Sequence, residues 1–317
     1  SKTMRNLTVI IPFLNEGAEI CETVKSIRET ARDNVDILLI NDASTDSFDY
    51  EEIGRVYKVK YMVNKKRLGP AFSRDLGIGM IETDYFLTVD GHMRFYDNDW
   101  WKRIVEVTSD NQRAVYCANC KTLDLNGNFV EGKPHFGAYI NFQDKNNILN
   151  PTWMRKDLHP EREIVEIPSV YGATYCSSKR YWQYIRGYEG LKQYGFEEPY
   201  ISIKAWMEGG GCYLIKDTEI GHIFRTGFPY EMDLNYFVYN KLLILETLFP
   251  SDLKNDIYNM LRETCGIYLR NATEIMLEHR KMLENLIKEY STILKSGFDS
   301  FLEINKKYES LANEDRF

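Results

Sequence analysis

Three short, mostly apolar runs constrain this chain more than any other feature: Leu7–Pro12, Val35–Ile40 and Tyr85–Asp90. Each is β-branched and too short for a typical helix, which is how a strand buried on both faces reads. Between the first two, Ile20, Val24, Ile27 and Ala31 recur at helical spacing. A weaker strand is expected over Tyr57–Asn64 and a helix over Ala71–Glu82. Strands alternating with helices predict an α/β sandwich with a mostly parallel sheet. Ligands of such sheets bind beyond the carboxyl ends of the strands. Three polar clusters fall at such ends: Asn15 with Glu16, Asp42 with Asp46, and Asp90 with His92.

Asp90-Gly91-His92 brings a carboxylate and an imidazole to one strand tip, a suitable place to hold a divalent cation against a phosphorylated substrate. A surface turn can carry the same residues. A further ligand candidate, His222, lies in Gly221-His222-Ile223-Phe224-Arg225.

Downstream, a helix is expected over 98–110, alternation over Arg113–Leu123, and a hairpin turn at Asn126-Gly127. Residues 133–168 read as irregular and rich in aromatics, a length of loop that is usually functional or mobile. A strand-helix unit (Ser169–Gly187), a glycine-rich segment with a helix (Gly190–Glu208) and a strand (Cys212–Lys216) follow. From about Glu231 the pattern is helical, with Leu283, Leu286, Ile287, Tyr290 and Leu294 in register. This tail carries 11 Lys and Arg against 15 Asp and Glu. It is expected to pack on the domain or to join a homo-oligomer. The predicted organisation is an α/β domain over 4–230 and an all-helical extension over 231–317.

Hydrophobic residues make up 44% of the 317, enough for a sizeable core, and the net charge of −7 argues against a generally nucleic-acid-binding surface. The one close cysteine pair, Cys117 and Cys120, lacks a second pair at zinc spacing. It sits in an expected strand, where i and i+3 face opposite sides, so structural thiols are expected. Ser1–Met4 reads as a cloning remnant before a start methionine, without an apolar signal region. No apolar run approaches the roughly 18 residues that span a bilayer. The expected location is cytoplasmic, with peripheral membrane association left open.

Several motifs, in order, resemble one family. Thr8-Val-Ile-Ile-Pro12-Phe-Leu-Asn15-Glu16, Asn41-Asp42-Ala-Ser-Thr-Asp46 and Asp90-Gly91-His92 are similar to the nucleotide-sugar domain of family 2-type GT-A glycosyltransferases. Asp-x-His resembles more closely the polypeptide N-acetylgalactosaminyltransferases. So do Arg67-Leu-Gly-Pro-Ala-Phe-Ser-Arg74, Tyr194-Gly-Phe-Glu197-Glu198, Trp206-Met-Glu-Gly-Gly210 and the segment around His222. The resemblance covers about residues 7–230. The signal-anchor and lectin domain of the animal enzymes are not in this sequence, which suits a bacterial or viral relative.

The resemblance implies a UDP-sugar donor and Mn²⁺, or Mg²⁺, held by Asp90, His92 and His222. Asp42 would accept from the uracil N3–H, with Pro12 and Asn15 lining the base and Glu16 near the ribose. Asp42 also suits an Asx-turn. Arg225 would grip the diphosphate; Gly91 would line the donor; Arg67 and Arg74 would bind the diphosphate or the donor sugar, with ordinary salt bridges an equal reading; Trp206 would pack on the donor or on the core. Gly172 would allow close approach of donor or acceptor. Glu197 and Glu198 stand where inverting family 2 enzymes have Glu-Asp and the retaining N-acetylgalactosaminyltransferases have Glu-Asn. A carboxylate in the second position points to inversion with Glu198 as base; the Asp-x-His and Gly-His-Ile-Phe-Arg motifs point to retention. Both residues also suit a helix N-terminus.

The acceptor site is expected from the loop carrying His135, Phe136, Tyr139, Phe142, Lys145, Trp153, Arg155 and Lys156. The expected activity is transfer of a hexose or N-acetylhexosamine to a hydroxyl of a glycan, protein or lipid-linked acceptor. A hydroxylated base of viral DNA is a less favoured acceptor. A silent binding protein of the same fold is the competing class. A nucleotidyltransferase is disfavoured, because Phe13-Leu14-Asn15-Glu16 replaces its glycine-rich loop.

Overall fold

The computed structural model describes residues 6–132, 134–172, 174–225 and 231–314. The amino-terminal half alternates as expected: β1 (Leu7–Phe13), α1 (Glu19–Ala31), β2 (Asp36–Asn41), α2 (Tyr50–Tyr57), β3 (Lys60–Val63), α3 (Pro70–Met80) and β4 (Tyr85–Val89). Helix α2 was not expected, and Tyr57 closes it rather than opening a strand. Asp49 starts it by accepting from the Glu52 amide, a short cap signal hidden in a polar stretch.

Next come β5 (Met93–Arg94), α4 (Trp100–Asp110), β6 (Val115–Leu123), β7 (Ala138–Ile140), β8 (Pro151–Trp153) and β9 (Ile164–Glu166). The segment read as irregular thus holds three short strands. Then follow β10 (Thr174–Ser178), α5 (Lys179–Tyr184), α6 (Glu197–Glu208) and β11 (Cys212–Ile223). Strand β11 runs past the expected end at Lys216, because its register on β6 shifts between Ile215 and Glu219 and then resumes. Cys117 and Cys120 are free thiols. They pack into the same core cluster, not on opposite sides as expected, on the stretch of β6 that faces this shift.

Among the described residues the main sheet has the order β3-β2-β1-β4-β10-β6-β11-β5, with β9 on β11. Strands β3, β2, β1 and β4 are parallel, whereas β10 runs antiparallel between β4 and β6. The chain leaves β1 toward β2 on one side and returns to β4 on the other. That reversal opens a crevice at the carboxyl ends of β1 and β4.

Five helices complete the described chain: α7 (Leu234–Leu248), α8 (Ser251–Thr264), α9 (Ile267–Glu278), α10 (Arg280–Ile293) and α11 (Phe298–Glu314). The expected domain boundary at 230 lies outside the described residues, as do Met4, Lys133 and Ala173. The helices share one apolar cluster with the sheet, from Ile10 and Phe86 through Ile201 to Leu243, Leu286 and Phe301. Polar anchors reinforce this. Fully buried Lys204 of α6 donates to the Ile185 and Gly187 carbonyls and, at 3.1 Å, to the Tyr290 hydroxyl of α10. Asn305 of α11 caps the edge of β7, accepting from Ile140 N at 2.7 Å and donating to Ile140 O at 2.9 Å. Asn305 and Ile140 are fully buried, so Asn305→Ala strands one amide and one carbonyl out of reach of water. It should destabilise the fold by about 2–4 kcal/mol, read as a lower denaturant midpoint; an unchanged midpoint would contradict the capping role.

Candidate active site

The metal-ready residues are assembled by two strand ends. Asp90 and His92 follow β4, and Thr23 of α1 fixes that turn by donating to Gly91 O at 2.7 Å and accepting from Met93 N at 3.0 Å. The far end of β11 pairs with β5, setting His222 opposite Met93, and Ile223 N donates to His92 O. The two imidazoles therefore stand 4.9 Å apart, centre to centre. His222 Nε2 lies 3.2 Å and His92 Nε2 3.6 Å from Asp90 Oδ2.

One ligand atom from each of the three residues falls within 4.8 Å of the others. Ligands in adjacent positions on a cation with bonds of about 2.1 Å lie about 3 Å apart, so the spacing suits a divalent ion. The donor set, one carboxylate and two imidazoles, suits a transition metal better than calcium. Burial opposes charge on Asp90, but the hydrogen bond with His222 and the charges of His92 and Arg74 outweigh it and hold the carboxyl below its usual range.

Glu16 does more than its sequence position suggested. Its Oε1 lies 3.1 Å from His92 Nδ1, which leaves Nε2 turned to the metal-ready side, and its Oε2 accepts from Arg225. A carboxylate behind a ligating imidazole fixes ring orientation. Gly91 is required by this contact, since a Cβ there would meet Glu16 Cγ at 2.8 Å.

A cleft of about 420 Å³ opens over the triad. Pro12, Glu16, Asp42, Arg67, Arg74, Gly91, Gly172 and Arg225 line it, together with Asp90, His92, His222, Glu197 and Glu198. Two singled-out residues are not in that lining. Asn15 instead pins the loop after β2, its Oδ1 accepting from Thr45 N and Asp46 N. Trp206 packs against the core and donates to the Ile167 carbonyl at 3.0 Å.

Asp42 is buried and accepts from Leu68 N, Gly69 N and Asn64 Nδ2, all within 2.9 Å. Its two oxygens hold the distant 64–69 loop, a long-range role and not the local Asx-turn. Arg74 is buried and bonds Asp90 Oδ1 at 2.9 Å, while its Nε has no partner among the described residues. Arg67 donates to the Glu231 carbonyl at the start of the helical extension.

The two glutamates open α6, where the helix dipole favours them. Asn240 of α7 holds the preceding loop by bonds to Lys192 N, Lys192 O and Gly195 O. Glu197 is buried and accepts from Gly195 N through Oε2, and its Oε1 has no partner among the described residues. Burial, then the adjacent Glu198, pushes the Glu197 carboxyl well above the usual carboxylate range. Glu198 Oε1 accepts from the Tyr175 hydroxyl at 2.5 Å.

Tyr175 and Tyr194 also line the cleft, and sequence reasoning assigned neither a role. Tyr194 was visible only as part of a motif; Tyr175 carried no signal, because its partner is 23 residues away. The aromatics of the long loop do not reach this lining. Tyr139 and Phe142 are core residues, and Phe142 packs on Phe249 and Phe301 of the extension. Trp153 and His135 stack on Phe224, one ring behind the cleft. Lys145 and Arg155 are engaged with Glu263 and His135.

A doubly wound sheet with a metal-ready Asp-x-His at a strand end and paired carboxylates opposite it defines the GT-A class of transferases. The chain belongs to glycosyl transferase family 2, whose model matches residues 8–189. Human polypeptide N-acetylgalactosaminyltransferase 14 is 25% identical over 232 residues, covering 70% of this chain and 41% of its own length. Bovine polypeptide N-acetylgalactosaminyltransferase 6 is 26% identical over 75% of this chain and 41% of its own. The chain thus spans well under half of these relatives. The crystal structure of GalNAc-T7 with UDP, GalNAc and Mn²⁺ superposes with a TM-score of 0.70 at 22% identity, over 87% of this chain and 55% of that one. S. aureus TarS 1-349 with UDP-GlcNAc gives 0.55 at 14%, over 96% and 92%. No helix among the described residues is long and apolar enough to cross a membrane.

Removing the Glu16 carboxylate should loosen the ring of His92. Glu16→Ala is expected to weaken Mn²⁺ affinity about 10–100-fold in calorimetric titration; an affinity equal to wild type would remove Glu16 from the support of the metal site.

Proposed function

We propose that this chain transfers a hexose or N-acetylhexosamine from a UDP-sugar to an acceptor hydroxyl, with Mn²⁺ or Mg²⁺ held by Asp90, His92 and His222. The observation that carries the reading is the convergence of that triad and Glu197-Glu198 on one cleft at the topological switch of the sheet. A cation bound there supplies positive charge to the diphosphate as it leaves. The names of the two relatives above, both polypeptide N-acetylgalactosaminyltransferases, favour a protein acceptor over a glycan or lipid-linked one.

The chain's own residues have distinct tasks. Asp42 has both oxygens engaged by its loop and retains one acceptor position for a uracil N3–H. Arg225, aimed by Glu16, adds a fixed positive charge where the leaving diphosphate gathers negative charge. The unpartnered Arg74 Nε and Glu197 Oε1 are a donor and an acceptor suited to hydroxyls of the transferred sugar. Glu198 takes the acceptor proton, and attack on the face opposite the diphosphate inverts the anomeric carbon.

UDP release from a panel of UDP-sugars tests this directly. One donor should turn over with Mn²⁺ and stop in EDTA, and Asp90→Ala should abolish Mn²⁺-dependent UDP binding. Silence on every donor, with no Mn²⁺-dependent UDP binding by calorimetry, would leave a silent binding protein as the reading. Glu198→Gln should lower kcat about 10²–10⁴-fold while UDP binding persists. A product with retained anomeric configuration, read by proton NMR, would remove Glu198 from the base role.

A further inference from the structure

We propose that Tyr175 is the positioning residue for Glu198: its hydroxyl holds one carboxylate oxygen so that the other is presented to the acceptor. This inference rests on the glycosyltransferase reading above. Tyr175 lies on β10, with Thr88 of β4 on one side and Cys117 of β6 on the other. Its side chain is 1% exposed, so a strand in the middle of the sheet fixes where the phenol points. The Arg74 guanidinium lies 5.6 Å from the ring centre and bonds Asp90 at 2.9 Å. One arginine therefore braces both the metal-ready carboxylate and the tyrosine.

The phenol donates to Glu198 Oε1 at 2.5 Å. Burial, and then the Glu198 charge, push the Tyr175 hydroxyl far above its ordinary value, so it stays a donor. Glu198 Oε2 takes no hydrogen bond among the described residues, and the side chain is only half-buried and faces the cleft. Gly172 lies beside the pair: a Cβ there would make ordinary van der Waals contact at 3.4 Å from Tyr175 Oη and 3.5 Å from Glu198 Oε1.

A glutamate at the first turn of a helix has three side-chain torsions, and a base must bring one oxygen to about 2.6–3.2 Å from the proton it takes. Holding Oε1 removes that freedom before substrate arrives. In the step, the acceptor O–H proton passes to Glu198 Oε2 and the acceptor oxygen bonds to the anomeric carbon. The bond from that carbon to the diphosphate oxygen breaks, and its electron pair leaves with UDP. Tyr175 keeps its proton throughout.

The test is a double-mutant cycle on the full chain with the donor found in the panel: Tyr175→Phe, Glu198→Asp and the two combined. Tyr175→Phe keeps the ring and should lower kcat about 10–100-fold, with donor KM and UDP affinity within about twofold of wild type. Glu198→Asp shortens the side chain and breaks the same hydrogen bond, so adding Tyr175→Phe to it should cost less than about twofold. An unchanged kcat in Tyr175→Phe, a loss confined to KM, or equal losses in both backgrounds would each overturn the proposal. If the wild type releases no UDP from any donor, the glycosyltransferase reading falls and this inference with it. An active wild type with an unaffected Tyr175→Phe removes this inference alone.

Discussion

Burial opposes the charge of Asp90, and the groups that favour its carboxylate come from three separate stretches of chain. Arg74 reaches it from α3, His92 from the turn just beyond it, and His222 from the end of β11. Burial pushes its carboxyl upward; these neighbours outweigh that and hold it below its usual range. That balance explains several choices around it. Arg74 is buried and braced against Tyr175, His92 is backed by Glu16, and Glu16 in turn is paired with Arg225. The metal-ready triad, Arg225 and the glutamate pair are parts of one charge network.

That network demands precise strand ends. The parallel pairing of β1 and β4 sets Asp90 beside the loop that carries Glu16. Antiparallel β10 starts against Val89 and so delivers Gly172 and Tyr175 to the same level. The register shift in β11 lets a strand that begins against Val115 still end with His222 beside β5. The helical extension matters for the same reason. Asn240 of α7 ties down the loop before α6, and Phe237 packs on Phe196, so the position of Glu197 and Glu198 depends on residues beyond 231. The extension is a wall of the core and not a separate appendage, which is why the loop aromatics Tyr139 and Phe142 are spent on packing.

Much of this was legible in order along the chain. The buried strands announced themselves as β-branched runs, because a strand covered on both faces tolerates few polar residues. Asp90, His92 and His222 stood out because each sits at a strand end in a short motif, and the acidic pair because it opens a helix. Helix α2 escaped because its apolar positions are few and its cap lies within a polar run. For Trp206 the choice between donor and core was not legible, because a tryptophan beside motif residues says nothing about which face of the helix it occupies.

The sequence by itself determined the alternation of strand and helix, the polar ends of the strands and the chemical types gathered there. Local propensity and hydrophobic period decide those, and both act over a few residues. Only the tertiary structure shows that Glu16 backs His92 and Arg225, that Tyr175 holds Glu198, and that α11 caps β7. Those contacts join residues 76, 209, 23 and 165 positions apart. They exist because strand order and register bring distant side chains to one crevice, and neither leaves a periodic trace in the sequence.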